Sequence, residues 1–320
     1  MKFLKNPWKT VSVLVMVSLA ACNGGNRSFG KNYSNVAPSV AADALLIDAN
    51  PAGNYEIYKV AGGMAQQLTN DGQYDSWWAK ASPGGTTFLF YRTPRGVHDR
   101  DYGKTSLWMA NIDGSNVHQV LPVHANNWPM HGHAEWSPDG SKLVMFGGAG
   151  IVITDTNGNV LGQVANGIDP SWSANGQQIV YISCDNYPKC GSGKFRVYIA
   201  NADGSGYRQF ENLDRHANDP YMSPDGRYVS WISSEPFHFL TWDLMIANAD
   251  GSNAHPLVSD GNINSKPNWS ADGLVYFHKT EPGLYKGFSV WSVHTDGTEL
   301  TWVGAGMPPG SEYPAVIPLR

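Results

Sequence analysis

The stretch Trp136–Phe146 reads Trp-Ser-Pro-Asp-Gly-Ser-Lys-Leu-Val-Met-Phe and joins a tight turn to a strand. Proline presets the first central residue of a type I turn, and Asp and Gly are the residue types that such turns favour. The alternation of polar and apolar residues that flanks the turn is typical of a strand with one buried face. Further copies of the turn begin at Ala81, Trp172, Met222 and Trp269, so the stretch is one unit of a repeat.

A second motif spans Leu107–Asn116 and reads Leu-Trp-Met-Ala-Asn-Ile-Asp-Gly-Ser-Asn. Its Asp-Gly turn supplies the positive φ angle that a tight antiparallel hairpin requires. Further copies run over Val197–Ser205, Leu244–Asn253 and Val290–Thr298, with weaker copies at Ile151–Asn159 and Tyr55–Gly63. The turns recur about every 45 residues, a period that suits a four-stranded propeller blade. Six copies predict six blades.

The two ends of the repeat predict how the ring closes. The first copy of the second motif has no turn motif before it, whereas Tyr313–Ile317 follows the last copy and matches an innermost strand. We expect this C-terminal strand to complete the first blade, which removes the exposed sheet edges. The predicted fold class is all-β, a six-bladed β-propeller of four-stranded antiparallel blades.

Composition agrees with this class and excludes one class of partner. Charged residues make up only 15% of the 320 residues, while Gly (35) and Trp (12) are abundant, as expected for many short strands joined by tight turns. The formal net charge is −5. Nucleic-acid binding requires a basic face, so a nucleic-acid partner is not expected.

Ser-Pro-Asp-Gly paired with Ala-Asn-Ala-Asp-Gly-Ser resembles the blades of TolB-like propellers, from about Ala44 to the C-terminus. The resemblance implies the six-bladed fold. TolB-like propellers range from protein-binding scaffolds to sugar-active enzymes, so the fold alone does not decide the activity.

The N-terminus predicts export. Three lysines precede an apolar run from Val11 to Ala20, which is shorter than the roughly 20 residues that a transmembrane helix needs and is typical of a secretory signal. Leu19–Cys22 reads Leu-Ala-Ala-Cys and resembles the lipobox of bacterial lipoproteins, which implies cleavage before Cys22 and its lipidation. Asn23 follows, and by resemblance to known sorting rules this favours the periplasmic face of the outer membrane. The alternative is an ordinary signal peptide cut nearby.

These features predict three segments: a lipoprotein signal peptide at 1–21, a flexible tether at 22–43, and the propeller at 44–320. With Cys22 assigned to lipid, Cys184 and Cys190 remain and bracket a short segment rich in loop formers. In an oxidising periplasm we expect a disulfide between them, which stiffens a surface loop.

The two faces of the propeller differ in their predicted loops. Turns between the first and second strands and between the third and fourth strands are short and share one face. The loops between the second and third strands are long and irregular, so we expect the functional residues on their face. The candidate binding residues assigned to this face are Trp78, His98, Arg100, Trp128, Lys266 and Tyr313.

Equivalent positions on the innermost strands, three residues before the tryptophan of the turn motif, predict the lining of the central channel. They are Trp78, His133, Asp169, Asp219, Lys266 and Tyr313. The imidazole and two carboxylates of this set could hold a divalent cation, Mn²⁺ or Ca²⁺, with His131 and His216 as further candidate ligands. The alternative is a solvated polar channel in which the carboxylates pair with the lysine.

His131-Gly-His133 precedes the Ser-Pro-Asp turn and resembles part of the metal-binding strand of oligogalacturonate lyases. Two histidines one residue apart on a regular strand project to the same side, as metal ligands require. The resemblance implies manganese and β-elimination from an oligouronide. However, those enzymes resemble seven-bladed propellers, and their other ligands and base have no matching positions here.

The sequence therefore predicts a lipid-anchored scaffold of the cell envelope that binds a protein or a glycan, has no catalytic residues, and meets the membrane through its lipid alone. The alternative is a metal-dependent polysaccharide lyase that uses the His131 and His133 strand.

Overall fold

The computed structural model describes residues 38–148, 150–190, 195–211, 213, 215–235, 240–280 and 287–318. The predicted signal peptide, Cys22 and most of the tether lie outside the described residues. Within the described part of the chain, no helix is long and apolar enough to cross a membrane. The described strands are β1 (Leu45–Ala49), β2 (Glu56–Ala61), β3 (Met64–Gln67), β4 (Tyr74–Ala81), β5 (Thr87–Pro94), β6 (Ser106–Asn111), β7 (His118–Leu121), β8 (His131–Trp136), β9 (Lys142–Gly147), β10 (Gly150–Asp155), β11 (Val160–Ala165), β12 (Ile168–Trp172), β13 (Gln178–Ser183), β14 (Arg196–Asn201), β15 (Arg208–Gln209), β16 (His216–Met222), β17 (Tyr228–Ser234), β18 (Asp243–Asn248), β19 (His255–Val258), β20 (Asn264–Trp269), β21 (Val275–Thr280), β22 (Phe288–Val293), β23 (Thr301–Trp302) and β24 (Glu312–Val316).

These strands form six four-stranded antiparallel sheets, which are the six predicted blades. Blades 2 to 6 each use four consecutive strands, from β4–β7 to β20–β23. Blade 1 has the order β24-β1-β2-β3, so the C-terminal strand is its innermost strand, as predicted. The all-β six-bladed propeller and its mode of closure are confirmed.

The repeated Ser-Pro-Asp-Gly turn is held by its own side chains. The Ser137 hydroxyl donates to the Asp139 carboxylate at 2.6 Å and accepts from the Lys142 N–H at 2.9 Å, while Gly140 N–H closes the turn on the Ser137 carbonyl. Gly140 has a φ of +71°, which explains the preference for glycine there. The same bonds recur at Ser223 and Ser173, so the local sequence alone specifies this hairpin.

The core lies between neighbouring blades. Trp136 of blade 3 donates its indole N–H to the Lys80 carbonyl of blade 2 at 3.1 Å, and Trp269 of blade 6 donates to the Tyr221 carbonyl of blade 5 at 3.3 Å. Trp136 and Trp269 thus each join their own blade to the preceding blade of the ring.

The packed part of the chain begins before Ala44, the predicted boundary of the propeller. The Ser39 N–H donates to the Trp302 carbonyl at 2.8 Å, and the Ala305 N–H donates to the Ser39 carbonyl at 3.0 Å. Val40 forms an isolated antiparallel bridge with Gly304. The last residues of the predicted tether therefore contact blade 6.

Cys184 and Cys190 form the predicted disulfide, with their Cα atoms 5.7 Å apart. They lie in the connection between β13 and β14, a second-to-third loop of blade 4. The face that carries these loops is called the loop face below. The opposite face, which carries the Ser-Pro-Asp-Gly turns, is called the short-turn face.

Candidate functional site: the central channel

The six residues that the sequence places on the channel share one unusual backbone conformation. Each has a φ between 49° and 55°, although none is glycine, and each lies where its innermost strand shifts register with the next strand. Such a bulge turns a side chain away from the regular alternation of the strand. We call them the channel ring: Trp78, His133, Asp169, Asp219, Lys266 and Tyr313.

Contacts run around the channel ring. The rings of Trp78 and His133 stack with centroids 4.1 Å apart, and Tyr313 meets Trp78 edge-on at 5.6 Å. His133 Nδ1 pairs with the Asp169 carboxylate. These residues are buried, so the channel is filled at this level by a polar and aromatic layer.

The remaining members complete the layer with an ion pair. Lys266 Nζ lies 2.9 Å from Asp219 Oδ1 and above the rings of Trp78 and Tyr313, at 4.7 and 5.4 Å from their centroids. Burial acts to lower the pKa of the Lys266 ammonium, but the charges of the surrounding aspartates outweigh it and raise that pKa. Lys266 is therefore held as a cation in the channel.

A metal ion fits this arrangement poorly. One ligand atom from each of His133, Asp169 and Asp219 lies within 4.8 Å of the others, which is the geometry of a candidate metal group. However, His133 is already paired with Asp169, and Asp219 is paired with Lys266. A resident ammonium compensates the charge that would otherwise attract a divalent ion.

The other two candidate ligands lie elsewhere. His131 Nε2 is 3.2 Å from the Pro122 carbonyl oxygen, and its ring packs near Tyr91. His216 packs against Trp242. Neither belongs to the group of ligand atoms formed by His133 and the two aspartates. The expected alternation that would align His131 with His133 does not apply, because the left-handed backbone at His133 lies between the two strand segments.

A loop of blade 2 covers the loop-face end of the channel. Between β5 and β6 the chain forms two 3-10 turns, His98–Arg100 and Tyr102–Lys104. The Tyr102 hydroxyl contacts the Asp99 carboxylate and lies 2.6 Å from His133 Nε2, and the Tyr313 hydroxyl donates to the other Asp99 oxygen. Tyr102 and Asp99 therefore connect the loop to the ring residues of blades 1 and 3.

Beside this loop lies a buried acid–imidazole cluster. His98 Nε2 is 3.0 Å from Asp48 Oδ2, and its ring stacks on Tyr55, whose hydroxyl donates to Glu312 at 3.1 Å. Burial raises the pKa of the Asp48 carboxyl to about 6 and that of Glu312 to about 7. Asp48 was not among the residues predicted from the sequence, although an acid inside the apolar strand Leu-Leu-Ile-Asp-Ala is a signal that could have found it.

The other end of the channel opens on the short-turn face. Two residues after each member of the channel ring, the innermost strands supply a second layer, here called the mouth ring: Lys80, Glu135, Ser171, Tyr221, Asn268 and Ala315. These residues line two adjoining pockets with volumes of about 340 and 220 Å³. Prolines from the short turns, including Pro83, Pro138 and Pro224, form the rim.

The floor of this opening is a compact polar triad. Lys80 Nζ lies 2.9 Å from Glu135 Oε1 and 2.8 Å from the Tyr221 hydroxyl, which donates to Glu135 at 2.7 Å. Lys80 also lies over the rings of Trp78 and Tyr221. Trp136 and Trp172 stand beside the triad on the pocket wall. The opening thus combines charged groups at its floor with apolar walls.

The six candidate binding residues do not form one exposed surface. Trp78, Lys266 and Tyr313 belong to the channel ring, because the bulges turn them inward. His98 is paired with Asp48, and the Trp128 ring packs on Gly147 and Gly148, where a Cβ atom would lie 2.7 Å from it. Among the six, Arg100 is the exposed residue.

Known structures share this architecture. TolB from Acinetobacter baumannii superposes with a TM-score of 0.65 at 14% identity, covering 87% of this chain and 67% of that one. A putative TolB from Agrobacterium tumefaciens gives 0.60 at 16% identity, covering 82% and 89%. Oligogalacturonate lyase in complex with manganese gives 0.51 at 12% identity, covering 83% and 74%. No protein-family model matches the sequence, and the comparison with curated proteins finds no significant relative. At these identities the likeness establishes the TolB-like propeller fold.

Proposed function

We propose that this chain is an exported scaffold of the cell envelope that binds an extended segment of a partner protein at the mouth of its channel, on the short-turn face. One observation carries the proposal. The loop-face end of the channel is bridged by Asp99 and Tyr102, whereas the short-turn end opens into the pockets of the mouth ring.

The chemistry of the mouth suits a peptide. Ligand pockets in proteins are concave and combine apolar walls with a few fixed polar groups that set orientation. Here Trp136, Trp172 and the rim prolines supply the walls, and Lys80 with Glu135 supplies a donor and an acceptor. The walls stand on short turns held by their own side chains, so the site is preformed and costs little ordering on binding.

The cellular setting of the proposal comes from the sequence and the fold. A secretory signal, a lipobox-like Leu-Ala-Ala-Cys and a disulfide between Cys184 and Cys190 are together typical of an exported envelope protein. Similarity to TolB structures supports the same setting. Lipidation at Cys22 and location at the periplasmic face of the outer membrane are part of this proposal.

A metal-dependent polysaccharide lyase is the alternative function. It is favoured by the close approach of His133, Asp169 and Asp219 and by the fold shared with oligogalacturonate lyase. Formation of unsaturated product from oligouronides, together with Mn²⁺ in the purified protein, would support it. Bound Mn²⁺ would then have to be lost in Asp219→Asn.

Site-specific photo-cross-linking distinguishes the two faces. A photoreactive residue at Ala174, on the wall of the mouth, is expected to cross-link one partner protein in intact cells. Arg100 on the loop face and the exposed Ala65 on β3 serve as matched positions. Peptide mapping should then place the cross-link in a single segment of the partner. Cross-linking at Arg100 without cross-linking at Ala174 would overturn the proposal, and a glycan adduct at Ala174 would replace the protein partner by a glycan.

A further inference from the structure

The centre of the channel holds a cation that belongs to the chain itself. We propose that the Lys266 ammonium is the resident cation of the channel ring and takes the position that a divalent metal would otherwise occupy, so that the native ring does not bind Mn²⁺ or Ca²⁺. This inference does not depend on what the mouth binds.

The surroundings of the ammonium are those of a cation site. Its nitrogen lies 2.9 Å from Asp219 and over two aromatic faces, those of Trp78 and Tyr313. Aromatic faces and carboxylates are both attracted to an ammonium, and the attraction is strongest where water is excluded. The Lys266 side chain is only 16% exposed and that of Asp219 only 2%. Because the Lys266 ammonium belongs to the protein, it occupies this site without an ion from solution.

Lys266 supplies positive charge to a site that is rich in carboxylates. The carboxylates of Asp219, Asp169 and Asp99 all act on the Lys266 ammonium. The side chain paired with Asp169 is His133. Without the ammonium, Asp219 would keep a buried carboxylate with no compensating cation, which is a costly arrangement. The three ligand atoms of the metal-like group would then remain in place for an ion to bridge.

The backbone conformation at Lys266 and Asp219 explains why their side chains meet in the channel. Lys266 holds a φ of +55° and Asp219 a φ of +49°, conformations that cost a non-glycine residue of order 1 kcal/mol or more. The same conformation recurs at all six ring positions, so the bulges of the fold place both partners of the pair in the channel.

Removal of the ammonium tests the proposal. Metal binding by the purified mature chain is measured calorimetrically with MnCl₂ and with CaCl₂. We expect no saturable binding by the parent protein and saturable binding at one site in Lys266→Met. Lys266→Arg, which keeps the charge, should stay without metal. Lys142→Met removes an exposed lysine from β9 and is the control for loss of one positive charge.

The metal site gained in Lys266→Met should use Asp219 as a ligand. Asp219→Asn in the Lys266→Met background should abolish the new binding. Two results would overturn the proposal: saturable binding by the parent protein that Asp219→Asn removes, or a folded Lys266→Met variant that binds metal no better than Lys142→Met.

A second measurement tests the proposal about Lys266 if the Lys266→Met variant does not fold. Refolding of that variant on addition of Mn²⁺ or Ca²⁺ would support the proposal. If it stays unfolded, the indole N–H resonance of Trp78 in the parent protein, identified by its loss in Trp78→Phe, is followed during addition of paramagnetic Mn²⁺. Unchanged intensity supports a ring occupied by Lys266, and selective broadening at stoichiometric Mn²⁺ contradicts it.

Discussion

Glu312 and Asp48 are buried carboxyls that face one imidazole, His98, across the junction of blades 1 and 2. Burial acts to lower the pKa of the His98 imidazole, but the hydrogen bond and charge of Asp48 outweigh it and raise that pKa. All three groups therefore bind protons more tightly in the folded chain than in the unfolded one. Their contribution to stability is fully present below the unfolded pKa of each group and is lost as the pH rises through its folded pKa.

Glu312 allows this pH dependence to be measured. Its folded pKa of about 7 exceeds the ordinary value of 4.5, so the free energy of unfolding should fall between pH 5 and pH 8. In Glu312→Gln, which stays neutral, that fall should be smaller by about 2 kcal/mol. Urea denaturation at both pH values measures the difference. Glu299→Gln, at an exposed site, should leave the slope unchanged, and equal slopes for the parent protein and Glu312→Gln would contradict the assignment.

The channel ring shows which residue positions could be predicted from the sequence and which could not. Counting back from the repeated tryptophan found all six positions, because every blade places its bulge at the same step of the motif. His131 lies outside the group formed by His133 and the two aspartates, because alternation assumes a regular strand and the φ of +52° at His133 interrupts it. The backbone conformation of a non-glycine residue leaves no local signal in one sequence.

At the scale of elements, the β5–β6 loop has a structural role in the channel that its sequence does not reveal. Asp99 and Tyr102 were not among the candidate residues, because their partners His133 and Tyr313 lie on other blades and no periodic pattern connects them. By contrast, the strands and short turns were predictable, since Ser137, Asp139 and Gly140 stabilise their turn locally.

Removing the Tyr102 hydroxyl tests the contact between the β5–β6 loop and the channel ring. Tyr102→Phe deletes the group that contacts Asp99 and His133 while keeping the ring against Phe146. Because both partners are largely buried, we expect a loss of about 1–3 kcal/mol in the free energy of unfolding. Chemical denaturation measures it, with Tyr74→Phe at an exposed position of the same blade as control. Equal stabilities of the two variants would show that the hydroxyl does not hold the loop.

The segment before β1 offers a second test at this scale. A mature chain that begins at residue 38 keeps the hydrogen bonds of Ser39 to blade 6, and one that begins at residue 44 loses them together with buried Ala41. Two backbone hydrogen bonds and a small apolar contact amount to roughly 1–3 kcal/mol. Differential scanning calorimetry should therefore give the longer chain the higher Tm. Identical Tm values would show that residues 38–43 do not stabilise the fold, as expected of a tether.

At the scale of the whole molecule, the envelope location rests on Cys22, which lies outside the described residues. Cys22→Ser should still be exported but should leave the membrane fraction, because two signals are normally needed for stable anchoring and both acyl groups depend on this cysteine. Fractionation with immunodetection measures this, and Cys184→Ser with Cys190→Ser is the control that alters cysteines without touching the anchor. Membrane retention of Cys22→Ser would contradict the lipobox.

The arrangement of the six blades also bears on which face of the propeller a partner can bind. The repeats were predictable from the sequence, and so was the loop-rich character of one face, but among the described residues the open end of the channel lies on the other face. The reason is the contact of Asp99 and Tyr102 with the channel ring, which joins residues far apart in the chain. We therefore propose that the partner binds at the mouth of the channel.

The most direct test is the affinity of the cross-linked partner segment, prepared as a synthetic peptide, for three forms of the mature chain. Ala174→Arg places a large charged side chain on the wall of the mouth, and Ala65→Arg makes the same change on exposed β3. We predict that Ala174→Arg weakens binding by at least about tenfold, a loss of ~1.4 kcal/mol, while Ala65→Arg binds as the parent protein does. Equal affinity of all three forms would contradict a binding site at the mouth.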